Sequence, residues 1–491
     1  GVQTLRAMDN FQITGQHLDH EFIAAIATVK KAAAMSNQET GRLEPKIAGA
    51  IAAAADEVIA GQWLDQFPVD PIQGGAGTSI NMNMNEVLAN RALDLLGKPR
   101  GSYAIVSPNN HINMAQSTND SFPTSIKVCL CHKNHKLIGA LEELAEGLDA
   151  KAEEFADVVK LGRTHLQDAV PITLGQEMAA YASAVRRAIR RIEQVTAGIH
   201  AINMGATAVG TGLNAEPEYI RLVARNLSKI TGEPFHTASN LIDATNNTDG
   251  FADVSAALRV TALVLIKMAN DIRLMASGPR CGLNEINLPQ MQPGSSIMPG
   301  KVNPVIPEVV NQTSFLVIGL DLTVTLAASA GQLQLNVMEP VITYALFKSI
   351  FTMENAVTSL RTNCVDGITA NASIKRGVVT TDNLKMHGVA ATVLMDGTAD
   401  IANETTNLHV VVIPEFNLGT GPLVYALAVN PVIGLGSFLA QLFLRAPVMK
   451  ALTYHMQIAG PWKSPVVTKL DGGKLEPVAV PAAAAAEAVA K

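Results

Sequence analysis

Three polar, almost carboxylate-free segments hold the residues best suited to chemistry. The first, SPNNHINMAQSTNDSFPT over 107–124, leads through Ser117, Thr118 and Asn119 into a helix. Three adjacent small hydrogen-bonding residues there can aim free N–H groups, hydroxyl donors and the positive end of the helix dipole at an anion. The same residues also make an ordinary N-cap. The second segment, LGRTHLQDAVPITLGQE over 161–177, offers Thr164 and His165 ahead of Pro171, although a single loop histidine also has purely structural uses. The third, QPGSSIMPGKVNPVIPEVVNQ over 292–312, sets Ser295, Ser296, Lys301 and Asn303 before Pro304, which opens a helix. Its glycines permit positive φ and a loop that closes over a ligand, while a plain Gly/Pro linker has the same composition. Three such segments together point to a site for a small dianion.

Long helices must carry these segments. Apolar periodicity predicts helices over 137–159, 174–200, 250–277, 304–330 and 339–364. In the third of these Val254, Leu258, Thr261, Leu265, Met268, Ile272 and Met275 form one apolar stripe. Helices of this length measure about 40 Å and imply a long bundle. Arg186, Arg187, Arg190 and Arg191 share a helix side that reads as solvated or subunit-facing. The expected organisation is a mixed helix/loop domain over 1–117, a helix-bundle domain over 118–373, a β-rich segment over 374–465 and a low-complexity tail over 466–491. Within the first domain 22–35 and 46–60 read as helical and the Gly/Asn-rich 73–86 as a loop. In the third, Asp396-Gly397 is a hairpin signal and 408–413 a buried strand. The uncharged 416–444 is broken by Gly419, Pro422, Pro431 and Gly434 and reads as a packed or interfacial segment.

Composition narrows the class. The 491 residues allow about three domains. With 48% hydrophobic and 16% charged residues, against roughly 25% charged in an average soluble protein, extensive burial is expected, much of it between subunits. A net charge of -6 supplies no basic field, which sets nucleic-acid binding aside. Cys129, Cys131, Cys281 and Cys364 have neither disulfide-framework nor zinc-ligand spacing and read as reduced and buried. The opening GVQTLRAMDNF carries no initiator Met or signal pattern and reads as starting inside an element.

The motifs GSSIMPGKVNP, GRTHLQDAVP, QSTNDSFPT, MGATAVGTGLN and QGGAGTSINMNMNEV resemble the aspartase/fumarase superfamily over residues 1 to about 373. GGAGTS, QSTND, THLQDAVP and GLNEINLP are more similar to aspartate ammonia-lyases than to class II fumarases. The resemblance implies a mainly α, long-helix bundle fold with a twenty-helix core in a cytoplasmic homotetramer, each active site drawing on three subunits. It implies a dicarboxylate substrate whose β-carboxylate meets Thr78, Ser117 and Thr118, with Asn119 and His165 near the amino group. Thr164, Lys301 and Asn303 then take the α-carboxylate, Ser296 joins the binding residues, Ser295 is the base, and Glu308 pairs with the site histidine. No metal or cofactor is implied.

Residues 377 to 465 instead resemble the C-terminal end of YhdP-type, AsmA-like envelope proteins, through TTDNLKMHGVAATVLMDGTADI, NPVIGLGSFLAQLFLRAP and IAGPWKSP. That resemblance implies a β-rich, lipid-facing segment, and membrane contact only through it. Two alternatives to a deaminating enzyme follow: a class II fumarate hydratase, or a non-catalytic scaffold or lipid-transport fragment.

Overall fold

The computed structural model describes residues 1–279, 281–298, 300–370, 373–375, 378–387, 391–400, 403–414, 454–471 and 474–477. The expected interfacial segment over 416–444 and the end of the tail lie outside the described residues. The chain divides into two compact units: Gly1–Glu146, Tyr181–Asn270 and Ile306–Thr362 form the first, and Gly147–Ala180, Asp271–Val305 and Asn363–Lys491 the second.

The first unit is helical. Asp19 caps the helix His20–Glu39 by accepting from the N–H groups of Glu21 and Phe22, and Pro45 opens the helix Pro45–Ile59. Phe22 packs edge-on against Phe122 and Phe347, with ring centroids 5.6 and 5.2 Å away, tying three helices to one aromatic cluster. The long helices are Thr118–Glu154, Leu174–Gly198, Asp249–Met275, Val305–Ser329 and Glu339–Asn363. All seven residues of the stripe read from Val254 to Met275 are buried. Arg186, Arg187 and Arg190 are exposed as expected. Val305–Ser329 differs: it is long and apolar enough to cross a membrane by composition, and Val309, Phe315, Leu316, Leu322 and Leu326 are exposed along it.

Two readings of this unit change. Residues 73–86 are a loop only as far as Gly77, after which Thr78–Leu95 is helix. The Asn/Met run lacks apolar periodicity because Asn81, Asn83 and Asn85 are themselves buried. The expected helix over 137–159 begins nineteen residues earlier, at Thr118, runs through Pro123 and ends at Glu154.

In the second unit Val159–Thr164 and Gln167–Thr173 form an antiparallel hairpin where only loop was expected. The seven C-terminal strands Ser373–Lys375, Val378–His387, Ala391–Asp400, Thr405–Pro414, Tyr454–Pro461, Val466–Asp471 and Lys474–Pro477 make one antiparallel sheet, each beside its chain neighbour. The sheet therefore runs into the stretch read as a tail. Asp396-Gly397 is no turn: both residues lie mid-strand opposite His409 and Leu408. Gly397 is required there because a Cβ would stand 2.2 Å from the carbonyl oxygen of Asn407. Of the described side chains over 408–412 only Val410 is buried. Cys129, Cys131 and Cys364 are buried as expected, but Cys281 is exposed.

Candidate active site

In the first unit the site residues sit on a polar network. Gly77 has φ +86° and lies against Phe122, letting the chain turn into the helix that Thr78 opens. The Thr78 hydroxyl donates to the Gly75 carbonyl at 2.7 Å and is exposed. Asn81, one helical turn on, donates to Thr118 Oγ1 at 3.1 Å and to Asn113 Oδ1 at 3.2 Å. The Ser117 hydroxyl oxygen accepts from Asn119 N–H at 3.2 Å, and Asn119 Nδ2 donates to the Ala208 carbonyl at 2.8 Å. Thr78 and Thr118 thus belong to helices bridged by Asn81, and Ser117 and Asn119 continue from Thr118 in the same turn.

Two buried charges underlie this turn, and neither was singled out from sequence. Asp120 accepts from the N–H groups of Ser117, Gly205 and Thr207 at 2.9, 3.1 and 2.9 Å. Burial pushes its carboxyl up to about 6, although the backbone donors and the Lys30 charge pull the other way. Lys30 is fully buried and donates to Asn113 Oδ1 and Gln116 Oε1, both at 2.9 Å. Burial lowers it to about 7. The signal available in sequence is Lys30 itself, a lysine inside the apolar run of 22–35. With Asn85 also donating to Asn113 at 3.2 Å, the helix start at Thr118 carries neutral donors over a buried Lys30–Asp120 pair, and its free N–H groups and dipole favour an anion.

The second unit holds the remaining predicted residues except Glu308. Thr164 ends one strand of the hairpin, and His165 and Leu166 form its two-residue tip in left-handed conformation, with φ 54° and 62°. All three are exposed. The hairpin is fixed near its base by Lys160, within 2.6 Å of Glu177 and 2.7 Å of Glu285, and near its tip by Arg163 at 2.6 Å from Glu285. In the loop 291–304 the Gly294 N–H donates to the Lys301 carbonyl at 3.0 Å, and Asn303 Nδ2 donates to the Gly294 carbonyl at 2.8 Å. A Cβ at Gly294 would stand 2.2 Å from the Lys301 oxygen, so only glycine closes this loop. The closure brings Ser295, Ser296, Lys301 and Asn303 onto one short arc. Ser295 Oγ accepts from Ile297 N–H at 3.2 Å, and among the described residues Lys301 has no carboxylate within ion-pair distance. Glu308 lies in the first unit, exposed, with Gln312 Nε2 donating to it at 3.3 Å.

A family model described as Lyase matches residues 1–319. An aspartate ammonia-lyase of Bacillus sp is 56% identical over 371 residues, 76% of this chain and 79% of that protein. The aspartate ammonia-lyase of Escherichia coli strain K12 is 50% identical over 382 residues, 77% of this chain and 80% of that protein. The chain belongs to the aspartate ammonia-lyase family. Members of this family are carbon–nitrogen lyases, and the mainly helical fold is of fumarase/aspartase type. A fumarate lyase:delta crystallin from Brucella melitensis, solved bound to cobalt, superposes with a TM-score of 0.74 at 51% identity, covering 76% of this chain and 81% of that one. The class II fumarase of Schistosoma mansoni also gives 0.74, at 36% identity and the same coverages. A second family model, YhdP protein, matches residues 362–467. The aspartate ammonia-lyase relationship accordingly covers the helices and both candidate loops, and the sheet has a separate affinity.

Proposed function

We propose that the chain catalyses the reversible deamination of L-aspartate to fumarate and ammonia in the cytoplasm, as a homotetramer whose active sites each draw on three subunits. The single observation that carries this reading is the 50–56% identity to aspartate ammonia-lyases beside 36% to a class II fumarase. The site chemistry supports it. Thr78, Ser117 and Thr118 receive the β-carboxylate, Asn119 and His165 face the amino group, Thr164, Lys301 and Asn303 hold the α-carboxylate, and Ser296 is a further binding residue. Ser295 takes the proton from Cβ. The electron pair left on Cβ moves into the adjacent carboxylate, giving an aci-carboxylate dianion, and returns to form the carbon–carbon double bond as the C–N bond breaks. Neutral donors suit this intermediate, because a nearby carboxylate would repel its second charge; removing one such donor costs about 2.7–4 kcal/mol of transition-state stabilisation. Ser295 ionises far above neutral pH unless Lys301 and loop N–H groups favour its alkoxide on closure. Glu308 from a neighbouring chain pairs with His165. The exposed apolar side chains of Val305–Ser329 suit burial against other copies.

The test follows fumarate by its ultraviolet absorbance. Fumarate formed from L-aspartate and not from L-malate is expected; the opposite pattern selects the fumarate hydratase reading, and no reaction with either substrate overturns both.

A further inference from the structure

Away from the loops above, the first unit brings together three residues the deamination does not use. Cys131 lies on the helix Thr118–Glu154, His200 just after the helix Leu174–Gly198, and Glu233 just after the helix Pro217–Thr231. One ligand atom from each lies within 4.8 Å of the others. We propose that Cys131, His200 and Glu233 bind a zinc-like divalent cation that ties these three helices together. Spacing along the sequence gives Cys131 no zinc partner; the fold supplies two.

The nitrogen–oxygen edge of the site needs only to open slightly, and the sulfur lies within 4.8 Å of its partners. His200 Nε2 and Glu233 Oε2 are 3.1 Å apart. Zinc bonded to nitrogen and oxygen at about 2.0–2.2 Å gives a tetrahedral edge of about 3.4 Å. Both flanking residues are braced. His200 stacks edge-on against Phe235 at 5.5 Å, and its carbonyl accepts from His236 N–H at 3.1 Å. His135, one helical turn beyond Cys131, stands 3.3 Å from the other Glu233 oxygen, Oε1, and orients that carboxylate from outside. A thiolate, an imidazole and a carboxylate with a fourth position for water form a donor set that suits zinc and disfavours magnesium or calcium, which take oxygen ligands.

The chemistry balances simply. The sulfur–metal bond forms as the thiol proton leaves to solvent. The rival reading is a small buried apolar cysteine beside an ordinary histidine–glutamate pair. The two differ in what the thiol does when a cation is offered.

Cobalt(II) is added alone to the chelator-treated full chain and the near-ultraviolet thiolate-to-cobalt charge-transfer band is titrated, with zinc used to displace it. One cobalt per chain is expected. Cys131→Ser should abolish the band, and His200→Gln should weaken binding at least about 100-fold, the upper range seen for residues that merely support metal ligands. Cys281→Ser, which removes the exposed thiol, should leave the band intact. Absence of stoichiometric binding, or a band that survives Cys131→Ser, overturns the proposal. Should Cys131→Ser fail to fold by circular dichroism, a His200→Gln protein with parental cobalt affinity overturns it as well. None of these readouts depends on lyase activity.

Discussion

Replacing Lys30 with methionine tests whether a buried ammonium underlies the helix start at Thr118. Lys30 is completely enclosed and its ordinary value of 10.5 falls to about 7. Its protonated form is therefore destabilised in the fold by about 5 kcal/mol at about 1.4 kcal/mol per pH unit. Between about pH 7 and 10.5 the unfolded chain binds more protons at this site than the folded one, so stability gained from this group rises with pH across that window. Methionine removes this penalty while leaving Gln116 Oε1 without its donor, a pH-independent loss of about 1–3 kcal/mol. The variant should thus be more stable than the parent near neutral pH, as hydrophobic replacements of buried charges can be. That advantage should shrink by about 3 kcal/mol between about pH 7 and 9.5. Asp120, at about 6 with the Lys30 charge beside it, moves up when that charge is removed, and its own titration therefore enters at the low-pH edge of this window. Urea unfolding of both proteins at the two pH values measures the difference directly. Activity should fall at least tenfold, because Asn113 and Gln116 lose the amine donor that holds them beneath Ser117 and Thr118. Stability curves that run parallel with pH, or a fully active variant, would show that Lys30 is neither desolvated as described nor coupled to the site.

The remaining predictions concern the loops and the assembly. Ser295→Ala should lower kcat by at least the 10²- to 10⁴-fold typical of a lost general base with little change in Tm, since the loop packs little; a tenth of parental activity retained contradicts the role. Lys301→Ala should raise KM more than it lowers kcat, and steady-state kinetics showing an unchanged KM would remove it from the α-carboxylate. Ser295→Ala and His165→Asn, each inactive alone, should regain partial activity after mixed unfolding and refolding, because some sites then combine intact segments from different chains; mixed tetramers without recovered activity argue against shared sites. Gly77→Ala should destabilise the chain by about 2–4 kcal/mol in calorimetry, combining a left-handed backbone with a Cβ 2.6 Å from the Phe122 ring.

The long helices were legible because burial on one side leaves a periodic trace: every stripe position from Val254 to Met275 is buried. Elements stabilised by polar burial left no such trace. Thr78–Leu95 buries asparagines, so its first turns read as loop. The hairpin at 159–173 buries no side chain fully and is braced by lysine, arginine and glutamate, so alternation gave no cue. Asp396-Gly397 carries turn chemistry, yet there glycine serves cross-strand clearance. The loop residues Ser295, Lys301 and Asn303 could be named from composition. Lys30 and the Cys131 cluster could not, since their meaning lies in partners brought from distant helices.

The hairpin tip has a consequence for anyone improving this protein. His165 and Leu166 both hold left-handed backbone, which costs roughly 1–2 kcal/mol for each non-glycine residue, where Asn-Gly would sit without strain. A computational redesign that rewards thermal tolerance alone will therefore replace this pair early, and its score will improve as the imidazole is lost. On the role proposed for His165, heat resistance and turnover are set against each other at this tip, so a stabilising campaign should exempt it and draw its gains from elsewhere in the chain.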